Sequence, residues 1–264
     1  MKPKALILHA PGTNRDHDAK KALELAGADA EIVQIFELRE KTKHFQDYQI
    51  LVIPGGFSYA DALGAGKFFA YNILNYFFDE LNTFVLAGKP VIGICNGFQV
   101  LVKAGILPGG FADHSIKKDS YKKPSATLTF NEVGHFECRN VNLIPQKSVC
   151  IWTKDLTENI ICPVAHGEGR FFAEEKIINT IQANGQIALV YANDKGEPAN
   201  GEYPFNPNGS LLDIAGVCNK TGNVLGLMPH SENNIIPRKR DCKKKQAEAI
   251  ASLAMWKAGV DYAK

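Results

Sequence analysis

The segment from Val91 to Gln99 constrains this chain more than any other. An apolar run meets the pattern Gly-x-Cys-x-Gly over residues 93–97, and a helical pattern of apolar residues follows. The same arrangement, with serine for cysteine, forms the sharp strand-turn-helix bend that presents the nucleophile of many hydrolases. The N-terminus of the following helix would stabilise a negative charge on the sulfur of Cys95. Cys95 is therefore predicted to be either a nucleophile or a buried core cysteine at a strand end.

Length, composition and charge limit the class of protein. The chain has 264 residues, which fits one large domain or one domain with an insertion. Its formal net charge is only +2, so no strong overall field is expected to attract nucleic acid or a membrane. No apolar stretch is long enough to span a bilayer, and no charged-then-apolar targeting signal opens the sequence. We therefore expect a cytoplasmic protein without nucleic-acid or membrane partners.

The cysteines do not form a recognisable disulfide framework or metal site. They are Cys95, Cys138, Cys150, Cys162, Cys218 and Cys242. No two of them make a Cys-x-x-Cys pair, and no His and Cys cluster has the spacing of zinc ligands. We expect free thiols and no metal ion, which leaves Cys95 able to react.

The first hundred residues alternate between short apolar runs and helical patterns. Strands are predicted over residues 4–9, 30–35, 49–53 and 91–94, and helices over residues 16–26 and 62–78. This alternation indicates a parallel sheet with helices on both faces. Ligands in such folds bind beyond the carboxyl ends of the strands. Three glycine-bearing loops lie at predicted strand ends, over residues 11–14, 54–56 and 93–97.

From about Leu107 the pattern changes to strands with short connections. Strands are predicted over residues 127–130, 135–141, 148–152, 185–190 and 224–228, followed by a helix over residues 243–256. The prediction is an α/β, flavodoxin-like fold, with a mostly parallel sheet flanked by helices, β-rich insertions and a single domain over residues 1–264. The basic stretch Lys117–Lys123 is interpreted as a solvated surface, with contact to a partner or a phosphate as the alternative.

A nucleophilic cysteine needs a base, and the base needs an acid that orients it. His166 with Glu168 and His230 with Glu232 each form a His-x-Glu triplet that offers such a pair. Residues two apart on an extended chain point to the same side, so both triplets fit the chemistry. His230 follows a predicted strand and could lie at the carboxyl edge of the sheet, which favours it. His166 lies beside glycines and remains a candidate on the residues alone.

The loop Pro54-Gly55-Gly56 follows a predicted strand and has two interpretations. It is a simple turn, or its backbone N–H groups, with that of Asn96, stabilise the oxyanion of a tetrahedral intermediate. Its pairing with a Gly-x-Cys-x-Gly bend on the next strand favours the second interpretation.

Together, the Pro-Gly-Gly loop, the Gly-Ile-Cys-Asn-Gly-Phe-Gln bend and the late His-x-Glu resemble class I, triad-type glutamine amidotransferases. The resemblance narrows to the glutaminase subunit or domain of phosphoribosylformylglycinamidine synthase and extends from about residue 4 to residue 232. The matching blocks are residues 10–16, 54–61, 65–67, 163–170, 203–210, 214–219 and 226–230.

This resemblance implies a role for each matched residue. The triad falls on Cys95, His230 and Glu232, and Gln99 matches a position that helps to hold the substrate glutamine. Gly55, Gly56 and Asn96 join it as substrate-binding residues. His166 and Glu168 match a block near the active site and are expected at a secondary site or an interface. The family usually has proline after the histidine and arginine after the glutamate, where this chain has Ser231 and Asn233.

The reaction implied by the resemblance is hydrolysis of glutamine to glutamate and ammonia. The ammonia would pass to a large synthase subunit that aminates formylglycinamide ribonucleotide in purine biosynthesis, and a small bridging subunit is also expected. No cofactor is expected in this chain, because it has no Walker-type phosphate loop; ATP and magnesium are expected in the synthase. The alternatives are another flavodoxin-like cysteine amidohydrolase or peptidase, or a catalytically idle glutamine-binding subunit.

Overall fold

The computed structural model describes residues 1–109, 124–237 and 243–264, without the side chains of residues 244 and 245. The stretch Lys117–Lys123 and Cys242 lie outside the described residues. The helices are α1 (Asp16–Ala26), α2 (Ile35–Arg39), α3 (Lys67–Leu86), α4 (Asn96–Lys103), α5 (Glu175–Ala183) and α6 (Lys243–Tyr262). The strands are β1 (Lys4–His9), β2 (Asp29–Gln34), β3 (Ile50–Ile53), β4 (Val91–Ile94), β5 (Ala126–Thr129), β6 (Glu137–Pro145), β7 (Ile160–His166), β8 (Arg170–Ala173), β9 (Ile187–Ala192), β10 (Ile214–Cys218) and β11 (Val224–Leu227).

The central sheet is mixed and has nine strands, in the order β2-β1-β3-β4-β11-β10-β9-β6-β7. The first five strands pair in parallel, and the remaining pairs are antiparallel. Every residue of β3, β4 and β11 is buried, as expected for parallel strands covered on both faces. The predicted flavodoxin-like α/β fold is confirmed, and β5 and β8 form a separate two-stranded antiparallel sheet.

Helices cover both faces of this sheet. The units β1-α1-β2 and β3-α3-β4 run in opposite directions along the sheet, so right-handed crossovers place α1 and α3 on opposite faces. On the first face α1 packs against α6; on the second α3 packs against α4, which also contacts β3, β4 and β11. No helix in the described ranges is both long and apolar enough to cross a bilayer.

The strand directions bring several chain segments to one edge of the sheet. The parallel strands β1, β3, β4 and β11 all have their carboxyl ends there. Directions alternate from β11 through β10, β9 and β6, so β7 also ends at this edge. Cys95 follows β4 and His230 lies three residues after β11, while His166 is the last residue of β7.

The predicted strand over residues 148–152 is wrong. This segment forms turns, and its backbone N–H groups bond to loops instead of a strand: Val149 to the Gly185 carbonyl at 2.9 Å and Ile151 to that of Gly222 at 3.0 Å. Its apolar pattern arises because the turn buries Trp152 completely against Trp256 of α6. The third helix also differs from its prediction: it begins at Lys67 and continues to Leu86.

The contact between α4 and β3 predicts a large loss of stability in the variant Gly97→Ala. A Cβ at this position would lie 1.8 Å from the carbonyl oxygen of Ile53, so the helix would have to move away. We expect the free energy of unfolding in urea to fall by roughly 1–3 kcal/mol, as for other overpacked sites. Gly109→Ala is the control, because a Cβ there meets nothing within 4 Å. Equal stability of the two variants would contradict this packing.

Candidate active site

Cys95 sits at the junction between β4 and α4, in a conformation that few residues adopt. Its φ of 49° and ψ of −104° put it outside the common regions for a residue with a side chain. Its backbone N–H donates to the Leu227 carbonyl at 2.8 Å, which fixes the bend against β11. The thiol is 5% exposed and donates to the carbonyl of Ala165, at 3.7 Å. The sulfur therefore lies at the helix N-terminus, at the carboxyl edge of the sheet.

His230 and Glu232 form a buried pair beside this sulfur. The imidazole Nδ1 and the Glu232 Oε1 are 2.7 Å apart, and the two side chains are 4% and 1% exposed. Burial acts to lower the pKa of His230, but the charge of Glu232, followed by interactions with Cys95, outweighs it and raises that pKa well above its ordinary value. The raised pKa favours the imidazolium form of the ring, which has Glu232 on one side and Cys95 close by.

The loop after β3 closes over the same imidazole. A Cβ on Gly55 would lie 2.7 Å from Cε1 of His230, so only a glycine lets the loop come this close. Gly56 has a φ of +142°, which also favours glycine. The Gly55 carbonyl accepts hydrogen bonds from the N–H groups of Asn14 and Arg15, at 3.4 and 3.2 Å. With its carbonyl directed to that side, the loop can direct N–H groups towards the sulfur.

A cavity of about 180 Å³ opens next to Cys95. Its walls include Gly56, Asp61, Gln99, His166 and Glu168. Two of the predicted substrate-binding residues and both secondary-site residues therefore surround one space, whereas Gly55 and Asn96 are not among its lining residues. Three aromatic side chains also line it and are 47–71% exposed: Phe57, Phe130 and Phe136. The cavity is therefore polar around the sulfur and has exposed aromatic surface in its lining.

Gln99 and Asn96 form part of a hydrogen-bond network in the cavity wall. The Gln99 side-chain amide donates to the Glu168 carbonyl at 2.7 Å and accepts from Asn96 Nδ2 at 3.0 Å. Asn96 also donates to Asp61 Oδ1 at 3.1 Å and accepts from the hydroxyl of Ser58. The Gln99 amide is thus engaged with the protein, and the sequence did not single out Asp61 or Ser58.

His166 lies in the wall of the same cavity and is held as a neutral ring. Its Nδ1 donates to Asn131 Oδ1 at 3.0 Å, and its Nε2 accepts from Asn208 Nδ2 at 3.5 Å. Burial, together with the nearby charge of His230, lowers the pKa of His166 to about 4. Only 3% of this residue is exposed, so it belongs to the interior of the site. Nothing in the sequence pattern indicated its two asparagine partners, which come from distant segments.

Glu168 faces the other side of the cavity. Its carboxylate accepts from the Ala65 N–H at 3.2 Å and forms an ion pair of the same length with Lys103. It does not contact His166 in the way that Glu232 contacts His230, so of these two triplets only the second forms a histidine–carboxylate pair. A third triplet, His135-Phe136-Glu137, also pairs at 2.9 Å, but its histidine side chain is 60% exposed. Across the described ranges, no three His, Cys, Asp or Glu side chains lie close enough together to hold a metal ion.

Comparison with known proteins points to one family. Residues 2–263 match the CobB/CobQ-like glutamine amidotransferase domain. The phosphoribosylformylglycinamidine synthase subunit PurQ of Treponema denticola is 64% identical over 268 residues, covering 99% of each chain. PurQ of Methanococcus maripaludis is 42% identical over 233 residues, which cover 88% of this chain and 83% of that protein.

Solved structures agree with this similarity. A chain of the PurLQS structure from Thermotoga maritima superposes with a TM-score of 0.73 and 30% identity, covering 100% of both chains. The glutaminase domain of CTPS from Trypanosoma brucei, solved with bound acivicin, gives a TM-score of 0.54 at 14% identity. It covers 99% of this chain and 94% of that one, and the likeness shows a shared fold.

Replacing Glu232 by glutamine is expected to lower the pKa of His230, because the carboxylate charge is the main influence that raises it. In the wild type the raised pKa means that the pair stabilises the fold fully below about pH 6.5 and loses this contribution as pH rises through that pKa. The stability difference between wild type and Glu232→Gln should therefore shrink towards alkaline pH.

Nuclear magnetic resonance titration of the histidine rings measures the shift, and urea unfolding at several pH values measures the stability difference. His166 is a second probe of the same change. In the wild type its pKa is lowered to about 4, so its neutral form stabilises the fold above about pH 6.5 and loses this effect as pH falls towards 4. Because the charge of His230 contributes to that lowering, the pKa of His166 should rise in the variant. A His230 pKa that stays the same in the variant would contradict the assignment of the charge pair.

Proposed function

The chain belongs to the glutamine amidotransferase family, in its branch of PurQ subunits of phosphoribosylformylglycinamidine synthase, and we propose that Cys95, His230 and Glu232 perform its glutaminase reaction. One observation supports this proposal above all others. The strained cysteine and the buried histidine–carboxylate pair come from segments more than 130 residues apart in the sequence, and His230 interacts with Cys95, whose side chain lines the cavity.

The reaction begins with glutamine in the cavity beside Cys95. The sulfur, as a thiolate, attacks the carbon of the side-chain amide, and a tetrahedral intermediate forms with negative charge on the amide oxygen. The backbone N–H groups of Gly56 and Asn96, with that of Gly55, stabilise this oxyanion. Removing one such donor typically raises the barrier by about 2.7–4 kcal/mol.

His230 handles the protons of both half-reactions. As an imidazolium it donates a proton to the leaving nitrogen, so that ammonia departs and a glutamyl thioester remains on Cys95. The neutral imidazole then accepts a proton from water, which attacks the thioester and releases glutamate. Glu232 holds Nδ1 throughout, which keeps Nε2 available for the reacting groups.

The remaining groups of the cavity orient glutamine and maintain the shape of the cavity. Gln99 is fixed by Glu168 and Asn96, so it contributes a rigid wall against which glutamine is oriented. His166 stays neutral and hydrogen-bonded, which excludes it from proton transfer near neutral pH. It fills the wall next to the triad, and its secondary role with Glu168 is to preserve the shape of the cavity.

The ammonia passes to the synthase that uses it. The chain works with the large subunit PurL and the small subunit PurS, in purine biosynthesis, where formylglycinamide ribonucleotide is converted to the amidine. We place ATP and magnesium in the large subunit, with no cofactor in this chain, and the assembly in the cytoplasm. The 64% identity to a PurQ subunit, over 99% of the chain, supports this function over that of an unrelated cysteine hydrolase.

The variant Cys95→Ala should lose glutaminase activity in the assembled complex by at least about a thousandfold, on the scale of nucleophile removal in other triads. Release of glutamate and ammonia from glutamine is the measurement. Cys138→Ala is the control, because Cys138 is an exposed thiol on β6 and should keep full activity. Glutamine turnover that survives in Cys95→Ala would refute the mechanism.

A further inference from the structure

The short turn that carries Glu232 is connected to the last helix by a buried hydrogen bond. The indole Nε1 of Trp256, on α6, donates to the Ser231 hydroxyl oxygen at 3.2 Å. Both residues are fully buried. Ser231 lies in sequence between the two triad members, so this bond reaches the turn at the point where the histidine and the carboxylate diverge.

Two further hydrogen bonds connect the turn to β7. The His230 N–H donates to the Pro163 carbonyl at 2.8 Å, and Asn234 Nδ2 donates to that of Ile161 at 2.6 Å. These two bonds fix the backbone at either end of the turn. Among the side-chain hydrogen bonds of the described residues, the one from Trp256 holds its middle from the side of α6.

Trp256 is itself held firmly in the core. Its ring meets that of Trp152 edge to face, with centroids 6.2 Å apart and an interplanar angle of 81°. Trp152 is in turn buried and donates from its own indole to the Asn223 carbonyl, at 3.4 Å. Because tightly packed rings resist displacement, the indole N–H presents a fixed donor to the turn.

We propose that Ser231 and Trp256 are positioning residues for the proposed glutaminase reaction, and that they hold His230 and Glu232 in register with Cys95. Neither side chain is among those that line the glutamine cavity. Their effect is therefore on the geometry of proton transfer and not on substrate binding. The proposal rests on the proposed function and adds the C-terminal helix to the groups that determine its rate.

The test is steady-state glutamine hydrolysis by the complex with PurL and PurS, for Ser231→Ala, Trp256→Phe and the double variant. Each single variant should lower kcat about tenfold, less than the roughly hundredfold cost of a 1 Å misplacement, with KM for glutamine within twofold of wild type. The double variant should fall no further than the single variants, because both remove the same bond.

Ser252→Ala is the matched control. Ser252 is also a fully buried serine, but its hydroxyl donates to the Glu248 carbonyl within α6, at 3.2 Å, and not to the turn. It should keep wild-type kcat. If Trp256→Phe does not fold, Ser231→Ala decides alone.

Wild-type kcat in Ser231→Ala would overturn the proposal, as would a fall in kcat for Ser252→Ala that equals the fall for Ser231→Ala. A change confined to KM would overturn it too. An inactive wild-type complex would instead refute the proposed function, so the two failures are distinguishable.

Discussion

The close approach of α4 to the carboxyl ends of β3 and β4 is the constraint on which the site depends. Without a side chain at Gly97 the helix lies against the Ile53 carbonyl, and the chain can reach it from β4 only through a bend at Cys95. The positive φ of that residue costs conformational energy, of order 1–3 kcal/mol for a strained position, which the packed parallel strands must offset. Because of this bend, the sulfur projects from the edge of the sheet, beside the N–H groups at the N-terminus of α4.

The second determinant is electrostatic and involves two neighbouring histidines in opposite states. His230 has a carboxylate on Nδ1 and remains charged, whereas His166 has only amide partners and remains neutral. Burial and the charge of His230 both lower the pKa of His166, so a charge on His230 helps to keep the second ring neutral. Pairs of titratable groups whose pKa values are driven apart in this way are typical of active sites with assigned acid and base roles. Here the carboxylate partner of His230, and the burial of His166 beside amides, determine which ring favours the charged form.

The sequence predicted the parallel half of the fold well, because its signals are local. The bounds of β1 and α1 follow directly from an apolar run, a turn and a terminal glycine. The antiparallel half was harder to predict. Residues 148–152 have the apolar pattern of a strand, although they form a turn whose side chains pack into the core. The strands β7, β8 and β10 were not predicted. For the site, the Gly-x-Cys-x-Gly pattern located Cys95, but the residues alone left His166 and His230 both open. The partners that distinguish them, Asn131 and Asn208 for His166, lie 35 and 42 positions away and have no short-range signature.

One step of the proposed mechanism is covalent: the glutamyl group of glutamine becomes attached to the sulfur of Cys95 at the bend. Rapid acid quench of the complex during turnover, followed by intact-mass and peptide mapping, tests it directly. The predicted result is a glutamyl adduct on Cys95 that hydroxylamine removes and that disappears once glutamine is exhausted. Steady consumption of glutamine with an unmodified Cys95 at every quench time, or an adduct on another residue, would contradict it.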